Sequence, residues 1–116
     1  MHGVTAKEWE LLSFFEVEPD LLFPGESWDC NDAAYRVVRE DLSLSVAIAP
    51  FHRDVRIILE HGHRCVYELN AVGVVDVRYR QGQGAETLEV ELTERDVIVL
   101  RVKPHITLEQ RVRSPE

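Results

Sequence analysis

The chain has 116 residues, 45% of them apolar and 29% charged, with a formal charge of −8. That length suits one domain with a single core, and no run of 18 apolar residues exists to form a membrane-spanning helix. The charge is uneven: residues 1–32 hold eight acids and one base, Lys7, while the remainder is nearly balanced. An acidic face of this kind disfavours nucleic acid, whose phosphates need a positive surface.

The first element predicted is a helix over residues 1–16. Thr5 and Glu8 have the spacing of a capping box, and Val4 and Trp9 that of a hydrophobic staple. Leu11, Leu12, Phe14 and Phe15 form its expected buried stripe, and Pro19 marks its end. Trp9, Leu12 and Phe15 are expected to hold it on the sheet. The start lacks a basic leader followed by a long apolar run, so a cytoplasmic protein with reduced Cys30 and Cys65 is expected.

Residues 17–31 read as an acidic, turn-rich loop. Glu16, Glu18, Asp20, Glu26, Asp29 and Asp32 fall within seventeen residues that contain no base. Trp28 sits among them, a large aromatic in a polar loop. It either anchors the loop under a sheet edge or serves as an apolar hot spot for a partner.

From 32 to 113 the texture is that of strands. Leu42, Leu44, Val46 and Ile48 alternate with small residues, as do Leu88, Val90 and Leu92 with glutamates. Asp32, Asp54, Asp76 and Asp96 each precede a strand-like run, which predicts four successive hairpins. Across "QGQGAE" the register should pair Tyr79 with Leu88, Val77 with Val90 and Arg78 with Glu89. "DVIVLRVK" is apolar on both faces, as a covered strand would be. The fold class is therefore α+β, mainly β: one helix on an antiparallel meander of about eight strands, as a curled sheet, sandwich or barrel.

Three motifs bear on chemistry. "EHGHRC" places His61 and His63 around Gly62 between two strands, and a hairpin turn is the expected outcome. A zinc site there would need His52 or His105 to come near, and the spacing matches no established zinc pattern. "FHRD" contains the His-Arg-Asp triplet of kinase catalytic loops, but Leu59 stands where a metal-binding Asn is needed. "QGQG" leaves one strand and enters another, so it is a turn and not a dinucleotide fingerprint.

No metal, cofactor or catalytic residue is assigned. The expected function is a non-enzymatic interaction domain whose contact region is Glu16, Glu18, Asp20, Glu26, Trp28, Asp29 and Asp32. The expected partner is a cationic protein, not nucleic acid or membrane. One concrete form is an immunity-type inhibitor that plugs a cationic toxin site, an analogy of size and acidity. The alternative is a barrel enclosing a small molecule, and a hydrolase or metal enzyme stands behind both.

Overall fold

The computed structural model describes residues 4–82 and 84–113. Its elements are a helix α1 (Glu8–Phe15) and nine strands among the described residues. In chain order these are β1 (Asp20–Leu21), β2 (Ala33–Arg39), β3 (Leu42–Ala49), β4 (Asp54–His61), β5 (Arg64–Ala71), β6 (Asp76–Gly82), β7 (Ala85–Glu91), β8 (Asp96–Arg101) and β9 (Thr107–Val112). The four hairpins are β2–β3, β4–β5, β6–β7 and β8–β9, and each begins at or just after one of the four spaced aspartates.

The meander is split. β1 to β5 form one antiparallel sheet and β6 to β9 a second, each in sequential order. Among the described residues no strand pair joins the two, so the chain is a sandwich-like arrangement and not a closed barrel. The crossing from β5 to β6 is where the sheets part. The space between them is filled: Val46, Ile48 and Ile57 of the first sheet and Val77, Leu88, Ile98 and Leu100 of the second are buried in one cluster. A hollow interior for a small molecule is thus replaced by packed side chains.

Registers follow the alternation of the sequence. Tyr79 pairs with Leu88, Val77 with Val90 and Arg78 with Glu89. The opposite face of that hairpin carries charge: Arg78 reaches Glu91 at 3.3 Å and Arg80 reaches Glu89 at 2.9 Å. β8 is buried on both faces, with Val97 and Val99 on the outer side. In the first sheet, Gly62 takes the positive φ of the β4–β5 turn, and His61 pairs with Arg64. His61 and His63 are exposed, and among the described residues no group of His, Cys, Asp or Glu is arranged to hold a metal.

The helix starts later than its capping signal implies. Lys7 is the N-cap, with the Glu10 side chain accepting from the Lys7 N–H at 2.9 Å. Thr5 is taken by a tertiary partner: its N–H donates to Asp76 Oδ1 at 2.7 Å, and its hydroxyl donates to Asp76 Oδ2. The Ala6 N–H donates to Val77 O at 2.8 Å, so the segment before α1 is strapped along β6. The expected stripe holds at Leu11, Phe14 and Phe15, which face the core, while Leu12 is only half-buried. Trp9 is 63% exposed and does not seat the helix. Phe15 stacks on Tyr35 of β2 with ring centroids 4.6 Å apart, and Phe14 meets Tyr79 of β6 edge-on at 6.4 Å. The helix therefore bridges the two sheets. No helix among the described residues is long and apolar enough to cross a membrane.

A polar staple fixes the far end of the helix. The Glu86 carboxylate receives Ser13 Oγ, Tyr79 Oη and Lys103 Nζ, and Lys103 also binds Glu16 at 3.0 Å. Burial alone would raise the Glu86 carboxyl, but these donors outweigh it and hold it below its ordinary 4.5. A carboxylate depressed on folding stabilises fully above its unfolded value, and that contribution is lost as pH falls through the depressed one. Glu86→Gln should accordingly lower the melting temperature at about pH 7. The gap to wild type should narrow in thermal melts as the pH falls below the ordinary carboxylate range, and a gap that widened with acid would refute the assignment.

Candidate functional site

The loop between β1 and β2 is organised by one side chain absent from the sequence-based expectations. Asn31 is buried, and its Oδ1 accepts from the Phe23 N–H at 3.0 Å and the Asp32 N–H at 3.2 Å. Its Nδ2 donates to Phe23 O at 2.7 Å and Glu26 O at 3.2 Å. The Leu22 N–H donates to Asp32 O at 3.0 Å, closing the loop at its base. A loop tied this way presents fixed side chains, and two of those it presents are large and apolar: Leu22 is 63% exposed and Phe23 50%.

Opposite them stands the tight turn between β3 and β4. Arg53 adopts a positive φ of 59° and its N–H donates to Pro50 O at 3.2 Å. This turns Phe51, 59% exposed, out beside His52, with the rings edge-on at 5.1 Å. Leu22, Phe23 and Phe51 line an open hollow of about 450 Å³ with Cys30, Asp32, Ala49, His52 and Asp54. A second hollow of about 280 Å³ adjoins it, sharing Leu22 and Asp32 and adding Asp20, Ala34 and Arg56.

The floor follows from strand register. Ala49 pairs with Asp54, and Ala33 with Ile48, so Asp32 continues β2 alongside Ala49. Two carboxylates thus flank an alanine on one face, two strand spacings or roughly 10 Å apart. Asp32 is held by a bidentate ion pair with Arg56, both contacts at 3.2 Å. Asp54 Oδ1 accepts from the Gly73 N–H at 3.3 Å.

The expected contact residues divide. Asp20 and Asp32 come together at these hollows. Glu26 sits on the Asn31-tied loop, and Asp29 borders a separate hollow beside Lys7 and Glu8. Glu16 is the helix C-cap, paired with Lys103, and Glu18 is exposed. The segment has no base of its own, yet the fold supplies Lys103 and Arg56 from distant strands and loops. Glu18, Asp20, Glu26 and Asp29 form no ion pair among the described residues.

Trp28 takes the first of its two expected places, as the loop's anchor and not as a contact residue. It is 8% exposed, lies in a short 3-10 turn (Trp28–Cys30), and donates its indole N–H to Tyr35 Oη at 3.2 Å. It is the loop's anchor in the core and offers no apolar surface to a partner. Burial pushes the Tyr35 hydroxyl up to about 12, so it stays neutral beneath the indole. The exposed aromatics on this face are Phe23 of the loop and Phe51, the latter in a segment the sequence marked only as "FHRD". The available signal was an aromatic placed within a turn between two strand patterns, where no core can take it.

No family model and no curated protein matches the chain. Among solved structures, it resembles a chain of one described as "Contact-dependent growth inhibition toxin - immunity protein complex from Klebsiella pneumoniae 342". The TM-score is 0.76 over 95% of this chain and 97% of that one, with 20% of residues identical. At that identity the two chains share a fold.

Proposed function

We propose that the chain is an interaction domain of the immunity type, which binds a cationic protein toxin and blocks it. The observation that carries this reading is one connected surface bearing uncovered Leu22, Phe23 and Phe51 together with Asp20, Asp32 and Asp54. Apolar anchors within an acidic surround are what a basic protein partner recognises: the anchors set the lifetime of the complex and the charges its rate of formation. The resemblance to a chain of a toxin–immunity complex supports a toxin as the kind of partner.

The test is expression in cells. Products of genes beside this one are expressed alone and with the chain. One of them should arrest growth alone and be harmless in company, with a purified complex that dissociates faster when Phe51 is replaced. Growth arrest caused by this chain itself, or no protection against any neighbour, would overturn the reading.

A further inference from the structure

We infer that the larger hollow receives an arginine side chain, the specific contact by which a basic partner would be held. This rests on the proposed function for the partner's identity, but not for the chemistry of the hollow. The row Asp32–Ala49–Asp54 leaves a floor without a side chain beyond Cβ, edged by a carboxylate on each side. A guanidinium is planar and carries five donors in a fixed fork, so it can engage a carboxylate edge bidentately, which a compact ammonium cannot. The walls supply the rest. Phe51 offers an exposed aromatic face for stacking on a weakly hydrated cation, and Leu22 and Phe23 can cover the three-carbon stem. A hollow of about 450 Å³ has room for that side chain and its flanking backbone.

Asp32 already holds Arg56. That pair shows that the geometry on this face suits a guanidinium, and it leaves Asp54, which accepts from the Gly73 N–H, as the principal anchor for an incoming one. Phe51 and Asp54 belong to the same turn and strand start, so one short segment supplies both wall and anchor.

The probe is N-acetyl-arginine amide, titrated into the isolated chain and followed by amide NMR shifts, with N-acetyl-lysine amide and N-acetyl-citrulline amide as comparisons. The arginine compound should bind in the millimolar range with shifts confined to Leu22, Phe23, Ala49, Phe51 and Asp54, and citrulline should give none. Asp54→Asn keeps the acceptor for the Gly73 N–H and should weaken arginine binding at least tenfold without changing the melting temperature; Phe51→Ala should weaken it several-fold. Lysine binding as tightly as arginine, shifts spread over the whole acidic face, or an unchanged Asp54→Asn would overturn the inference. No toxin enters this experiment. Protection of cells by the chain could therefore stand while arginine binding fails, and the reverse.

Discussion

Phe15→Ala should cost about 3–5 kcal/mol of stability, whereas Trp9→Ala should change it by no more than about 0.5 kcal/mol. Phe15 is fully buried, stacked on Tyr35 and edge-on to Phe14 at 4.9 Å, so truncation opens a cavity where helix and first sheet meet. The loss would spread, because Tyr35 also receives the Trp28 indole N–H and so carries the base of the acidic loop. Trp9 projects from the other side of the same helix. Urea unfolding midpoints compare the two directly. Equal losses, or a larger one for Trp9, would mean the helix is seated on the face that its capping signal first suggested.

On the binding side, Phe51→Ala should speed dissociation from the protein partner by about 30-fold, which corresponds to about 2 kcal/mol. The ring is uncovered in the free chain and sits on a turn held by the Pro50 carbonyl and the αL backbone of Arg53. It needs little reordering before contact, and preorganised apolar anchors contribute most to lifetime. Leu22→Ala should act in the same direction and less. Val66→Ala is the control, since Val66 is also exposed but lies on the edge strand β5, away from the hollow. Surface-plasmon dissociation rates separate these cases, and a Val66 effect as large as that of Phe51 would move the interface to the sheet edge.

Strand pairing was legible because it is a local property. Alternation at 76–82 and 85–91 fixes which residues share a face, and the observed register pairs Tyr79 with Leu88. The four spaced aspartates marked hairpin starts for the same reason. What stayed hidden depended on partners far along the chain. Thr5 has the local marks of a helix cap, but Asp76, 71 residues away, takes its hydroxyl, and the helix begins later with Trp9 outside the core. The parting of the sheets at 72–75 reads like one more turn, because nothing local says that β6 will not pair with β5. At the candidate site, the acids were visible but their neutralisation by Arg56 and Lys103 was not. Of the two readings open for Trp28, burial as the loop's anchor is the observed one, while the exposure of Phe51 depended on how a turn of no special composition is folded.

The most direct test of an acidic, apolar-anchored face for a basic protein is the association rate measured against salt. The comparison is wild type against a variant with Glu18, Asp20, Glu26 and Asp29 made neutral. Steered association weakens as the Debye length shrinks from about 10 Å at 0.1 M salt to about 3 Å at 1 M. The wild-type rate should fall at least about tenfold over that range. The variant should start lower and fall less, with its dissociation rate close to that of wild type. A rate indifferent to salt, and equal in the variant, would contradict the account.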